Sequence, residues 1–192
     1  MHTVKRCDWA GSDPAYLSYH DNEWGIPVHD DRRHFEMLTL EGFQAGLSWL
    51  TILKRRENFR TAFALWRWER VACFTQEDID RLMQDASIIR NRLKITATVN
   101  NAKRFMEVQA EFGSFDRYLW QFTGNKTLRK RPRPRSMQEL PTHSPESDAL
   151  SRDLKKRGFS FVGTTICYSL MQAIGMVDDH LAGCFRCMGS TC

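Results

Sequence analysis

The sequence lacks the long apolar stretch that a membrane-spanning helix needs. The best candidate, residues 161–177, is interrupted by Thr164, Thr165, Ser169 and Gln172, whereas a span takes about 18 uninterrupted apolar residues. The first fourteen residues, MHTVKRCDWAGSDP, contain no apolar signal core. We therefore expect a cytoplasmic chain that is neither secreted nor embedded in a membrane.

A strong overall charge imbalance is also missing. The chain has 192 residues and a formal charge of +5, from 28 basic and 23 acidic residues. Five basic residues lie in one segment, residues 129–135 (RKRPRPR), and without them the balance is 23 against 23. The hydrophobic content of 42% predicts a folded chain, either one compact domain over residues 1–192 or two lobes that share a core. The basic segment either contacts phosphate or is a solvated loop.

Alternating polar and apolar runs are scarce, whereas start and stop signals for helices are dense. We therefore predict an all-α fold without internal repeats. Residues 123–145 are polar, basic and rich in proline, which is typical of a connecting loop. The predicted helices are residues 14–19 after an Asp13 cap, 31–45, a short one after Ser48, 76–84 with a capping box from Thr75 and Asp78, 92–112 ended by Gly113, 114–122, 148–157 after a Ser147 cap, and 164–174 ended by Gly175.

The six cysteines lie at positions 7, 73, 167, 184, 187 and 192. Without a secretory signal, we expect thiols or metal ligands and not disulfides. Cys73 and Cys167 lie in the apolar contexts VACF and TICYSL. The sequence therefore predicts that both are buried in the core.

Cysteine and histidine pairs occur near both ends of the chain. Cys7 and His20 lie near the start, and His180 and Cys184 are four residues apart near the end. Residues i and i+4 of a helical turn point the same way, and zinc favours four nitrogen and sulfur ligands in a tetrahedron. Such a site would join the two ends of the chain. The spacing leaves two alternatives, unrelated polar residues or a competing pair of Cys184 with Cys187.

Aromatic residues and one unusually placed carboxylate form a second group. Tyr16, Tyr19 and Trp24 cluster in one stretch, and Glu41 lies within an apolar helix eight residues before Trp49. A buried carboxylate is costly unless it is paired. Flat rings with one acid would suit a cationic heteroaromatic base. The alternative is that the rings belong to the core and Glu41 is a solvated or capping residue.

Two glycines fall in the same predicted helix as Glu41. Gly42 and Gly46 suggest that another group closely approaches the backbone there. For any single aromatic residue a place in the core is the better interpretation, but the two glycines bring the two interpretations of Glu41 closer to balance.

Four blocks of sequence carry a family resemblance over about residues 7–184. They are CDW followed by DPAYLSYHDNEWGIP, then FEMLTLEGFQAGLSWLTILKRRENFR, then QDASIIRNRLKITATVNNA, and then LKKRGFSFVGTTICYSLMQAIGMVDDH. The chain resembles the DNA-3-methyladenine glycosylase I family of the helix-hairpin-helix superfamily. The resemblance implies two helical lobes around a base pocket. It also implies base-excision repair, in which the N-glycosidic bond of 3-methyladenine in DNA is hydrolysed to leave an abasic site.

The resemblance also implies a cofactor and a partner. The metal would be one structural zinc ion on Cys7, His20, His180 and Cys184, joining the terminal segments 1–25 and 176–192. Because a site with four protein ligands has no open position, the zinc would stabilise the fold and not react. The partner would be double-stranded DNA, bound by a monomeric bacterial enzyme.

Site residues are carried over from the family position by position. Glu41 matches the carboxylate that recognises the alkylated adenine, and Trp49 matches the ring that stacks on it. Tyr19 matches a tyrosine of the pocket. The remaining matches are aromatic positions around the pocket and the short segment that enters the gap left by the extruded nucleotide. The aromatic positions are Tyr16, Trp9 and Trp24, and the segment is Gly46 with Leu47.

The predicted hairpin, about residues 86–95, departs from the pattern of the superfamily. The usual hairpin is rich in glycine and holds a phosphate with its backbone amides, but IIRNRLK contains no glycine. Leu93 stands where we expect glycine. Arg90, Arg92 and Lys94 are the candidates to bind phosphate by charge, and the alternative is a solvated basic face.

Two other functions fit parts of the sequence. A zinc-containing module that binds damaged DNA without cleaving it would share the composition and the basic loop. A glycosylase with lyase activity needs an amine nucleophile, and no lysine stands out as one, so we expect a monofunctional enzyme. An iron–sulfur cluster needs four nearby thiolates, but only three C-terminal cysteines lie close together.

Asp178 and Asp179 are expected to cap or orient the zinc-binding His180.

Overall fold

The computed structural model describes residues 4–129 and 132–188. Within that part of the chain all regular structure is helical, apart from one isolated bridge between Leu128 and Val177. The prediction of an all-α fold is confirmed. The helices are α1 (Pro14–Asn22), α2 (Asp31–Gln44), α3 (Trp49–Leu53), α4 (Arg56–Ala62), α5 (Trp68–Ala72), α6 (Gln76–Gln84), α7 (Arg92–Phe112), α8 (Phe115–Trp120), α9 (Pro145–Lys156), α10 (Thr164–Ala173) and α11 (Phe185–Met188). None of these helices is both long and apolar enough to cross a membrane.

Most of the helix boundaries follow the capping signals of the sequence. The carboxylate of Asp13 accepts a hydrogen bond of 2.9 Å from the backbone N–H of Ala15, at the start of α1. The capping box of Thr75 with Asp78 is present at the start of α6. Gly113 ends α7 in the left-handed conformation, with φ of +85°. Caps bond to backbone groups of the same helix end, so a local pattern is sufficient to place them.

Two predictions about local structure are wrong, and three short helices were missed. Helix α9 begins at Pro145 after a Ser144 cap, three residues before the predicted start, because Ser147 serves as the partner of Ser144 in a capping box. Cys73 is exposed, since it follows the last residue of the short helix α5. The short helices α4, α5 and α11 were not predicted. They span seven, five and four residues, too few to show a clear apolar period.

Helix α2 lies in the interior of the molecule. Its ten consecutive residues from His34 to Phe43 are all buried. A helix that is buried all round must be covered by neighbours, and α2 packs against α3, α7, α8 and α10. This placement carries Glu41 away from bulk solvent.

A tight crossing brings the N-terminal region against the C-terminal one. The backbone N–H groups of Gly25 and Val28 donate to the carbonyls of Gln172 and Ile174, at 2.9 and 3.0 Å. Gly175 has φ of +73°, and a Cβ atom there would lie 2.2 Å from the carbonyl carbon of Ile26. Only glycine allows this approach. The crossing sets residues that follow α1 beside those that follow α10.

Candidate active site

A cavity of about 210 Å³ opens where α1, α2 and α10 meet the segment before α9. It contains all six residues that the family resemblance assigned to the base pocket. It also includes five residues that the sequence analysis did not single out. The complete lining is Trp9, Tyr16, Tyr19, Trp24, Glu41, Gln44, Trp49, Met137, Leu140, Ser169 and Gln172.

Glu41 supplies the carboxyl group of this cavity. It is 4% exposed, and no other described residue donates a hydrogen bond to it. Burial raises its pKa from 4.5 to about 8. Because an unpaired buried carboxylate is costly, the fold preserves here an acceptor that a bound ligand can use.

Aromatic rings surround the carboxylate. The ring centroids of Tyr19 and Trp49 lie 5.4 Å apart, and Trp9 lies 5.5 Å from Tyr16 and 5.0 Å from Trp24. The indole N–H groups of Trp9 and Trp49 are buried without a hydrogen-bond partner among the described residues. The cavity therefore offers flat apolar faces, two free donors and one acceptor, which suits a planar heterocycle.

Gln44 was recognisable from the sequence, whereas the other unassigned lining residues were not. Gln44 follows Glu41 by three residues in the same helix, so it shares the same face. Met137 and Leu140 come from the segment that we predicted to be a connecting loop, and tertiary packing alone brings them to the cavity.

The segment Gly46–Leu47 follows α2 directly beside the cavity. The N–H of Leu47 donates to the carbonyl of the lining residue Gln44 at 2.6 Å, and Leu47 is 41% exposed. Gly42 has the predicted close neighbour, since a Cβ atom there would lie 3.4 Å from the Cβ of Phe161. Gly46, by contrast, lies outside the helix in open space, and its φ of +80° is what favours glycine.

The predicted hairpin joins α6 to α7. Arg90 is exposed, and so is Arg92, whose guanidinium forms an ion pair of 2.6 Å with Asp80. Leu93 is 75% exposed at the position where we expected glycine. We predicted that Lys94 would present its ammonium to solvent, and this prediction is wrong. It is 8% exposed and directed into the protein, because α7 turns this position toward α2.

Three of the four predicted metal ligands form one buried cluster. Cys7, His20 and Cys184 each offer a ligand atom, and these atoms all lie within 4.8 Å of one another. His180 is not within that group of three, but its ring centroid lies 5.2 Å from that of His20. Its Nε2 is buried without a partner among the described residues.

A carboxylate holds each of the two imidazole rings. Nδ1 of His20 lies 2.8 Å from Asp21, and Nδ1 of His180 lies 2.9 Å from Asp178. The Nε2 of His180 is therefore free on the opposite side, whereas that of His20 accepts a hydrogen bond of 3.3 Å from the backbone N–H of Cys7 and lies 3.4 Å from the Cys184 sulfur. This arrangement is typical of metal-binding histidines. Of the two acids expected to orient His180, only Asp178 does so, because Asp179 accepts hydrogen bonds from other residues.

The cysteine–histidine cluster also supports the aromatic wall of the cavity. The ring of Trp9 lies 5.3 Å from that of His20, and the ring of Trp24 lies 4.7 Å from that of His180. A group that holds His20 and His180 in place therefore also holds the indole rings of Trp9 and Trp24 in the cavity wall.

The basic segment 129–135 is partly docked onto the protein. Arg129 and Arg133 form ion pairs of 3.0 and 2.8 Å with Asp178. Burial of Asp178 opposes its ionisation, but hydrogen bonds from His180 and both arginines hold its pKa well below the usual range. Lys130 and Arg131 lie outside the described residues. The docked arginines differ from both predictions for this segment, a phosphate contact or a solvated loop.

Comparison with known proteins finds relatives that match almost the whole chain. The family model described as methyladenine glycosylase matches residues 9–187. The chain is 49% identical to DNA-3-methyladenine glycosylase 1 of Escherichia coli (strain K12) over 94% of this chain and 96% of that protein. A crystal structure of 3-methyladenine DNA glycosylase I superposes with a TM-score of 0.91 at 50% identity, covering 94% of this chain and 98% of the other. A further structure of such an enzyme, in complex with 3-methyladenine, gives 0.89 at 38% identity over 94% and 96% of the two chains.

Proposed function

The chain belongs to the methyladenine glycosylase family, and from this premise we propose that the cavity around Glu41 receives a 3-methyladenine extruded from DNA. The chain is a DNA-3-methyladenine glycosylase, a hydrolase of N-glycosyl bonds that acts in base-excision repair. Relatives named as glycosylases favour this activity over that of a module that only binds damaged DNA.

The observation that carries the proposal is the unpaired carboxylate among aromatic rings. A 3-methylated adenine in DNA is cationic. Burial raises the pKa of Glu41 to about 8, and a cation placed beside it would favour the ionised form. Burial makes the ionised form of Glu41 unfavourable in the empty site, and the bound cation offsets this cost by pairing with the carboxylate. A neutral adenine would not offset it, so the site discriminates by charge.

The reaction needs little proton transfer from the protein. The positive charge already weakens the N-glycosidic bond, because the base departs as a neutral molecule. Glu41 would orient the base and Trp49 would stack on its face, with Tyr19 beside them. Glu41 is the only acid among the described residues of the lining, and no lysine lies there. We therefore assign simple hydrolysis without lyase activity, which a borohydride-trapped lysine–DNA adduct would contradict.

DNA contacts are assigned to two exposed segments. Leu47, on the glycine turn beside the cavity, would fill the gap left by the extruded nucleotide. Arg90 and Arg92 would contact phosphates from the hairpin between α6 and α7, which we assign to the helix-hairpin-helix class. We expect a monomer, which sedimentation would test.

The buried cysteine–histidine cluster fits a structural zinc ion. Two thiols and two imidazoles are the ligands that tetrahedral zinc prefers, and the free Nε2 of His180 lacks any other partner in the described protein. Cys7, His20, His180 and Cys184 would hold the ion. Bound there, zinc would stabilise the junction of the two termini, and the residues themselves hold Trp9 and Trp24 in the cavity wall.

The test of the function is the release of free base from methylated duplex DNA, measured by chromatography. The protein should release 3-methyladenine, and Glu41→Gln should lower the single-turnover rate by about a hundredfold or more, since it removes the charge that the cation needs. Glu69→Gln makes the same change at an exposed position on α5 and should leave the rate unchanged. DNA binding by the wild-type protein without base release would overturn the proposal.

A further inference from the structure

Lys94 is a buried cation without an acidic partner. Its ammonium donates hydrogen bonds of 2.7 and 2.5 Å to the backbone carbonyls of Phe43 and Ala45. It forms no ion pair with any described carboxylate. Burial lowers its pKa below the ordinary value. The protein therefore bears a desolvation cost to place one ammonium at this point.

The two carbonyls belong to the end of α2. The last carbonyls of a helix have no partner within it, and the aligned peptide dipoles make that end negative. A lysine from another helix therefore caps two carbonyls at this end, whereas the Gln44 carbonyl is capped locally by the N–H of Leu47. Phe43 lies two residues after Glu41, and Ala45 immediately precedes the Gly46–Leu47 turn.

Lys94 itself is fixed at the start of α7. Its backbone N–H donates to the Asn91 side chain at 3.1 Å, and its carbonyl accepts from Thr98 at 2.9 Å. One side chain thus joins the first turn after the hairpin to the last turn before Gly46–Leu47. The two assigned DNA contacts of the protein are connected through it.

We propose that Lys94 is a positioning residue that holds the Gly46–Leu47 turn at a fixed place relative to the hairpin. The inference rests on the proposed function, because it concerns how the turn enters DNA while the hairpin holds the phosphates. Without the ammonium, the carbonyls of Phe43 and Ala45 would lose their hydrogen-bond donor and would have to bond to water instead. The turn would then lose its fixed position. Extrusion of the nucleotide would then suffer, whereas the cavity for the base would remain.

The test compares Lys94→Met with Arg92→Met. Both changes remove one positive charge from the start of α7, but Arg92 is exposed and Lys94 is buried. The single-turnover rate of excision from methylated duplex DNA should fall about tenfold or more in Lys94→Met, because a small misplacement of a positioning group is costly. The dissociation constant for free 3-methyladenine should stay within about twofold.

The salt dependence of duplex binding separates positioning from direct binding of phosphate. When a side chain that neutralises one phosphate is removed, the slope of log K against log salt decreases by about one. We expect that decrease in Arg92→Met and not in Lys94→Met. A reduced slope in Lys94→Met, an unchanged excision rate, or a weakening of free-base binding equal to the fall in rate would each overturn the inference.

A second variant covers the case in which Lys94→Met does not fold. Lys94→Gln keeps an amide donor for the carbonyls without the charge, and it should show a smaller loss of excision rate with the same unchanged salt slope. Where Lys94→Gln is the variant that folds and Lys94→Met does not, an unchanged rate in Lys94→Gln would overturn the inference. The wild-type protein is the reference throughout. If it releases no 3-methyladenine, the proposed function fails, whereas a wild-type rate in both Lys94 variants defeats only the present inference.

Discussion

Arg133 holds Asp178 through two hydrogen bonds from one guanidinium. One bond of 2.7 Å reaches the backbone carbonyl of Asp178, and the other of 2.8 Å reaches its carboxylate. The same carboxylate orients His180. Met137 and Leu140, which follow Arg133 in the chain, line the cavity. The basic loop is therefore connected both to the cysteine–histidine cluster and to the base pocket.

Arg133→Met should destabilise the protein and slow base excision. Removing the guanidinium leaves buried acceptors on Asp178 with fewer donors, which costs about 1–3 kcal/mol, and it frees the segment that carries Met137. Urea unfolding gives the free energy, and base release gives the rate. Arg135→Met, at an exposed position of the same loop, is the control. Equal effects in the two variants would show that docking on Asp178 is unimportant.

The stability of the free protein should depend on the ionisation of Glu41. Its pKa in the folded protein is about 8, against an ordinary value of 4.5, so between these values the folded state binds more protons than the unfolded state. The stability that this group contributes is then fully present below about pH 4.5 and decreases as the pH rises through 8. We expect the wild type to lose about 2–5 kcal/mol over this interval relative to Glu41→Gln.

The measurement is urea unfolding of both proteins from pH 4.5 to 9. All other titrating groups are shared, so the difference between the two curves isolates Glu41. Parallel curves would mean that the carboxyl titrates normally and is not buried without a partner.

Cys184→Ser should release the proposed zinc ion and weaken the fold. A structural zinc site contributes its binding free energy to folding, so we expect a loss of about 3 kcal/mol or more. Cys187→Ser is the control, because Cys187 is the competing thiol in the sequence and lies outside the group formed by Cys7, His20 and Cys184. Metal analysis and thermal unfolding of the purified variants provide the readouts. Loss of metal from Cys187→Ser instead would identify a different set of ligands.

Leu47→Ala should slow excision from duplex DNA without affecting stability. The side chain is exposed, so the free energy of unfolding should change by less than about 0.5 kcal/mol. Without this side chain to fill the DNA gap, the duplex rate should fall about tenfold, since extrusion costs a few kcal/mol. The excision rate on single-stranded methylated DNA should fall less, because that substrate needs no extrusion from a duplex.

Leu65→Ala is the control for Leu47→Ala. Leu65 has the same exposed fraction, 41%, but it is not among the residues that line the cavity. Its rate on duplex DNA should equal that of the wild type. A similar loss in both variants, or an equal loss on single strands, would remove Leu47 from the extrusion step.

The sequence alone was sufficient for the helices that carry their own end signals and for the residues of the cavity that lie on them. Caps and apolar periods act over a few residues, so Asp13, Thr75 and Gly113 mark helix ends correctly. Motif resemblance placed Glu41 and Trp49 in one cavity, and the structure brings them together.

Tertiary structure decided what depends on distant partners. Lys94 looks like a surface cation in the sequence, but it is buried because the carbonyls at the end of α2, some fifty residues earlier, lie within its reach. The basic loop has no local pattern that predicts its contact with Asp178, which follows it by 45 residues. A local sequence pattern reflects only interactions between residues that are close together in the chain. Only packing determines which unpaired charge meets which unpaired acceptor.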